Sequence, residues 1–325
     1  MLSNLPVGAK VKFGKFQVNA ETPEPIVWTI VAKNHQCEPA YPENSVTLHA
    51  TEILDLRCFD AIEPKNSDSN RAMFGNNRYS VSNIDQWLNK NNVKARWYSA
   101  AHSADQSPNT SARTGDCNTQ YSSRPGFLNA FTDDEIQAIL STTIRVVVPE
   151  VDGGSYEDIE RKVFLPSVTE VGLKNENNTA EGANWGYYGS LPRKCCVTSQ
   201  CFSNTLSTSK PSTAIKFWSW RLRTPQYSSS SGVKTITSTG SADYYNAWQG
   251  SYGIRPAINL SSSLLASDST DSDDCYTITF GAPTGSDVTL NGNTYSGVTN
   301  INYVKNGTSY SLNKLIVNGS IIWTK

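Results

Sequence analysis

The sequence predicts an α+β fold: a large mixed domain over residues 1–262, a Ser/Asp-rich linker over 263–274 and a small all-β module over 275–325. Three observations lead there. Strand-length runs of β-branched and aromatic residues fill the first 60 residues and return later. Two short segments carry helical spacing and capping signals. Three Asn-Gly pairs punctuate the last 50 residues.

In order, Val11 and Phe13 alternate with polar neighbours, residues 26–31 form an unbroken strand-like run, and residues 45–49 alternate again. Pro23 and Pro25 enforce a turn between the first two. Ile84, Trp87 and Leu88 fall at i, i+3, i+4 behind a Ser82 or Asn83 cap, so a helix is expected there. Thr132 and Glu135 have the spacing of a capping box, and Phe131 and Ile136 that of a hydrophobic staple. Ile136, Ile139 and Leu140 would be its buried stripe. Residues 142–148 read as a strand, and a short turn starting at Ser167 with Glu170 three residues on should stop at Gly172. From about 174 to 215 the chain is dense in Asn, Gly, Ser and Thr and reads as loop. Residues 218–225 and 253–260 then read as strands. In the last segment Asn291-Gly292, Asn306-Gly307 and Asn318-Gly319 suit the two positive-φ positions of type I′ hairpin turns.

Composition excludes several classes. Lys and Arg total 28 against 29 Asp and Glu, which leaves no electrostatic footprint for nucleic acid or an anionic membrane. No apolar run approaches the ~20 residues of a membrane helix, so no membrane insertion is expected. Residues 1–8 lack the basic region and apolar stretch of a secretory signal. The seven cysteines are odd in number and lack framework spacing, which suits folding in a reducing cytoplasm. Cys195, Cys196 and Cys201 cluster, yet there is no CxxC and His35, His49 and His102 are scattered, so no metal and no cofactor is expected. The acidic residues of the linker, Asp268, Asp271, Asp273 and Asp274, lack the ligand pattern of a calcium loop.

Catalytic motifs are missing: no G-x-S-x-G, no Walker loop, no H-E-x-x-H, no G-x-G-x-x-G. Asp133, Asp134 and Glu135 are explained by helix capping, and His102 by a structural or surface role. The remaining chemistry is aromatic. Tyr227, Tyr244, Tyr245, Asn246, Trp248 and Tyr252 lie in a tract whose charged residues are Lys234 and Asp243. Rigid aromatic area beside adaptable amides and hydroxyls is the composition of a binding surface for protein or sugar. Trp218 and Trp220, at i and i+2, would share one strand face toward the core.

Residues 76–89, 124–128, 162–167, 220–225 and 253–260, read together, resemble a domain-of-unknown-function family common in phages, prophages and Firmicutes genomes. The resemblance spans roughly residues 8–262. It implies a C-type-lectin-like fold, two helices flanking small antiparallel sheets with long loops, related to retroelement-diversified variable proteins and distantly to formylglycine-generating enzymes. By this resemblance Arg223 and Arg255 are framework, holding loops through backbone carbonyls, and they join Trp87, Trp218 and Trp220, which their spacing already assigns to the core. The tract 227–252 becomes the display surface. Arg221 replaces the aromatic residue usual in the family; it either faces the ligand as an added cation or faces the core and needs a carboxylate.

The expected function is a virion surface protein of tail, baseplate or capsid, assembled in the bacterial cytoplasm. It would bind a host-surface glycan or protein through Arg221, Tyr227, Tyr244, Tyr245, Asn246, Trp248 and Tyr252. Its partners would be other virion subunits and further copies of itself. Two alternatives are a purely structural decoration protein and an oxidase holding copper on Cys195, Cys196 and Cys201.

Overall fold

The computed structural model describes residues 1–19, 21–91, 97–108, 121–189 and 192–280, and the backbone pairing of six strands beyond 285. Two compact units emerge, Met1–Ile278 and Thr279–Lys325. The boundary lies later than composition suggests, because the end of the acidic stretch is tied into the first unit. Lys12 Nζ meets Asp271 at 2.7 Å and Asp273 at 2.5 Å.

The first unit opens with β1 (Lys10–Phe16), β2 (Glu24–Lys33) and β3 (Ser45–Ala50), followed by β4 (Asp55–Leu56), α1 (Ser69–Phe74) and α2 (Asn83–Leu88). Next come α3 (Asp133–Ala138), the hairpin β5 (Thr142–Val147) and β6 (Tyr156–Arg161), and β7 (Val163–Phe164). β8 (Cys195–Cys196), α4 (Ser199–Asn204), β9 (Phe217–Trp218), β10 (Trp220–Pro225), β11 (Gly232–Ile236) and β12 (Ala242–Asn246) lead to β13 (Gly253–Ile254), β14 (Ala257–Ser261), β15 (Leu265–Ala266) and β16 (Tyr276–Thr279). A seven-stranded sheet has the order β15-β16-β1-β2-β3-β14-β7, and a five-stranded sheet the order β12-β11-β10-β13-β4.

Strands dominate, and this overturns the α+β, C-type-lectin-like expectation of two helices flanking small sheets. The α-helices among the described residues have six residues each. Both expected helices start where their caps stand: Ser82 accepts from the Asp85 amide, and Thr132 and Glu135 complete the capping box. The first holds its whole expected stripe, Ile84, Trp87 and Leu88; the second stops short. Ile139, expected in the helical stripe, is already extended, and it bridges Leu260 while the Leu140 amide donates to Asn259 O at 2.9 Å. Pairing with β14 gives these backbone groups partners that another helical turn would otherwise have to supply.

The supposed single strand at 253–260 is likewise two. β13 lies between β10 and β4 in the five-stranded sheet and β14 enters the seven-stranded one, with Arg255 and Pro256 between them. Arg255 is buried at this crossing, where Nε donates to Ala50 O at 2.7 Å and Nη2 to Thr51 O at 3.2 Å. Trp220 packs 5.0 Å below its guanidinium. Trp218 and Trp220 do not share a strand: Trp218 lies in β9, opposite Cys195, and Trp220 in β10. Trp87 is buried between Phe16 and Phe127, with Arg57 4.2 Å over its ring and Nε1 bonded to Pro125 O.

A buried polar knot ties β10 to the 165–181 loop. Arg223 grips Glu170 through two bonds of 2.6 and 2.8 Å, both side chains being fully buried. Its remaining donors reach Arg145 O, Leu165 O and Glu181 O. Ser167 and Glu170 also bond each other reciprocally, which makes the turn that ends at Gly172, φ +76°. Glu181 lies in the same knot, accepting from the Val147 amide, Asn175 and the Thr224 hydroxyl.

Burial pushes the Glu181 carboxyl up to about 7, against the pull of Arg223 and Thr224. The folded protein therefore holds this proton to about pH 7, while the unfolded chain releases it near 4.3. The contribution is fully present below that lower value and is lost as pH rises through about 7, a decline on the order of 3 kcal/mol. Glu181→Gln keeps the acceptor for Val147 and removes the titration. Urea melts from pH 4 to 8 are expected to show the variant gaining on the parent across that window.

The second unit contains three hairpins: β17 (Ser286–Leu290) with β18 (Asn293–Val298), β19 (Ile301–Lys305) with β20 (Thr308–Leu312), and β21 (Lys314–Val317) with β22 (Ser320–Thr324). The three Asn-Gly pairs expected to turn them lie outside the described residues, as does Cys117. Among the described residues no helix is long and apolar enough to cross a membrane.

Candidate functional site

The tract singled out by composition is built on β10, β11 and β12, with β12 at the open edge of the five-stranded sheet. Cross-strand register assigns its faces. Arg221 lies opposite Thr235, and Thr235 opposite Asp243, so these three share one face with Val233 and Tyr245. Lys234 lies opposite Tyr244, on the other face. Strand alternation thus splits the aromatic tract into two sides of one rib.

On the first side the organiser is Arg221. It is not a ligand-facing cation, because it is fully buried, and among the described residues it has no carboxylate partner either. Nη1 donates to Tyr245 O at 2.8 Å and Nη2 to Asn246 O at 2.6 Å and Gln249 O at 3.3 Å, with Val233 O and Thr235 Oγ1 at 3.4 Å. The chain turns after Asn246, so the Asn246 and Gln249 carbonyls leave the ladder and need donors; a planar five-donor fork supplies them while also reaching Tyr245 O. Desolvation pulls the guanidinium down to about 10, still charged at neutral pH. The Tyr252 ring lies 4.3 Å from this cation and stacks on Tyr245 at 4.5 Å, 28° between planes. Asp243, exposed, accepts from the Tyr245 hydroxyl at 3.2 Å and from the Tyr244 amide at 2.8 Å.

On the second side Tyr244 is the most open aromatic of the tract, 48% exposed. Lys234 Nζ sits 5.5 Å from its ring and pairs with Glu176 at 2.6 Å. Glu176 also accepts from the Tyr227 amide, so it links half-buried Tyr227 to this side.

Two other expected ligand residues are structural. Trp248 is only 7% exposed, and its amide donates to Phe74 O at the end of α1. Gly75 allows that approach: at φ +77°, ψ 169°, a Cβ would lie 2.8 Å from Asp60 O and 3.2 Å from the Trp248 nitrogen. Asn246 spends its amide on Gln249 Oε1 and its side-chain oxygen on Ser231. The structure therefore brings Tyr245, Tyr252 and Asp243 together, sets Tyr244 and Tyr227 on the opposite side, and withdraws Arg221 and Trp248 inside. Framework Trp218 donates to Ser251 O at 2.7 Å and Trp220 to Arg193 O at 3.1 Å.

With this geometry fixed, comparison with known families becomes informative. The sequence profile of a family described as domain of unknown function (DUF6273) matches residues 43–262. The chain belongs to that family. The DUF6273 span runs from just before β3 to just past β14, so it contains the tyrosine edge, Arg221 and the Arg223–Glu170 knot, while β1, β2 and the second unit fall outside it. It also begins well after residue 8, where the sequence words suggested a start. Neither the curated proteins nor the solved structures compared contain a match.

Within the DUF6273 span, Cys195 is buried in β8 and Cys201 in α4, and burial pushes both thiols up, which keeps them protonated at neutral pH. Among the described residues no three of His, Cys, Asp and Glu form a metal-holding group. Two grooves of the first unit lie elsewhere: one of about 540 Å³ is lined by Lys10, Glu52 and Gln200, and one of about 570 Å³ by Gln86, Lys90 and Arg161.

Proposed function

We propose that this protein is a binding module that holds a host-surface glycan or protein on the open edge of β12, displayed on a virion surface. One observation carries the binding reading. A strand at a sheet edge presents tyrosines on both sides, and a buried arginine spent on main-chain carbonyls fixes the backbone that carries them. Rigid aromatic anchors bind at low cost in side-chain entropy, and a clamped backbone removes much of the remaining ordering cost. The virion setting rests on the likeness of the sequence words to phage and prophage proteins, and the partners there would be other virion subunits and further copies of this chain.

The test is saturable binding of the whole protein to candidate host cells and isolated wall material. A Tyr244→Ala, Tyr245→Ala double variant is expected to weaken it by about 100-fold, since each lost aromatic anchor removes on the order of 1–2 kcal/mol. Unchanged urea melts would show that the variant still folds. Binding that survives in the folded variant contradicts the site.

A further inference from the structure

We infer that the β12 edge takes an uncharged glycan chain, with Tyr244 and Tyr245 packing on sugar rings from its two sides and Asp243 accepting their hydroxyls. This rests on the binding reading above and narrows its ligand. Three observations on the edge favour a neutral glycan over a peptide strand or a polyanion.

The first concerns the backbone. Ala247 donates its amide inward to Ser231 O, so by strand alternation the amides of Tyr244 and Asn246 point out of the sheet. Both are already taken, by Asp243 Oδ1 at 2.8 Å and by Gln249 Oε1 at 3.1 Å. An added strand needs outward amides as donors, so from Tyr244 to Asn246 this edge is blocked against strand addition and recognition there falls to side chains.

The second concerns charge. The cations of β10–β12 are spent: Arg221 is buried on main-chain carbonyls, Arg223 is paired with Glu170 and Lys234 with Glu176. The exposed charge beside Tyr245 is the Asp243 carboxylate. A phosphate- or uronate-bearing chain would meet repulsion at Asp243, and the exposed cation at this hairpin, Lys194, stands at its tip beside Gly240 rather than beside Tyr245.

The third is the chemistry that remains. Each Asp243 oxygen receives one protein donor and keeps lone-pair capacity for a hydroxyl. The Tyr244 ring offers a flat, exposed face that suits the apolar C–H face of a pyranose. At the hairpin tip, Thr237, Thr239 and Ser241 form a chain of exposed or half-exposed hydroxyls, 2.7 and 2.9 Å apart, that extends the polar track.

The experiment is an array of neutral, sialylated, uronate-bearing and phosphate-bearing glycans, probed with the whole protein at low and high salt and paired with the host-cell assay. Neutral chains are expected to bind, with affinity unchanged by salt because no ion pair is formed. Tyr244→Ala and Asp243→Asn should each weaken that binding by about tenfold, with unchanged urea melts. Salt-sensitive binding of acidic glycans, or a gain for them alone in Asp243→Asn, overturns the inference. Host-cell binding without array binding overturns the glycan and leaves the binding module, with a protein ligand. Loss of both assays in a folded protein overturns the inference and the binding reading together.

Discussion

Replacing Arg221 by methionine is expected to lower the stability of the first unit by about 2–4 kcal/mol, read as a shift in urea midpoint at pH 7. Methionine keeps the apolar stem and much of the volume, so the change is chiefly the loss of donors. Asn246 O and Gln249 O, half-buried past the end of the ladder, lose their charged donor, and each carbonyl left without one costs about 1–3 kcal/mol, while Tyr245 O loses a second donor beside its ladder partner Val233. The Tyr252 ring also loses its cation at 4.3 Å. Arg221→Lys should recover only a fraction, because one ammonium cannot span carbonyls on both sides of the turn. A methionine variant within 1 kcal/mol of the parent contradicts the clamp.

A loss of similar size is expected from Arg223→Met, for the opposite electrostatic reason. Here the arginine does have a carboxylate, and removing it strands Glu170 at zero exposure, with Glu181 nearby. Breaking one half of such a pair costs about 3–5 kcal/mol, whereas replacing both halves by apolar groups can be much milder. The double variant Arg223→Met, Glu170→Met should therefore fall well short of the summed single losses, and a double-mutant cycle measures the coupling. Additive losses would mean that the two side chains act independently, against the bidentate geometry.

The contrast between these two arginines shows where sequence reasoning reaches and where it stops. Local signals were legible: the caps at Ser82 and Thr132, the Ser167–Glu170 turn and the strand runs of β1, β2 and β3 each depend on neighbours a few residues away. Helix length was not legible, because Ile139 leaves α3 to pair with β14, more than 100 residues on. Nor was the two-sheet architecture, since residues 253–260 read as one strand until Arg255 and Pro256 are seen to carry the chain between sheets.

At the site, composition located the aromatic tract, and alternation along β12 could have divided Tyr244 from Tyr245, had the strand been assigned. Glu176, which pairs Lys234 and meets Tyr227, has no local signal at all: it comes from an Asn-rich loop about 50 residues upstream of both. Arg221 was posed as ligand-facing or carboxylate-paired. The third solution, main-chain carbonyls of a turn, depends on a backbone path that residue types alone do not reveal.

Amide hydrogen exchange of the whole protein, with and without saturating host wall material, tests the central claim most directly. Ligand on the β12 edge should slow exchange across residues 232–252 and leave α2 and the groove beside Lys10 and Glu52 unchanged. Protection concentrated in either of those grooves, with 232–252 unaffected, would contradict the assignment of the tyrosine edge as the binding surface.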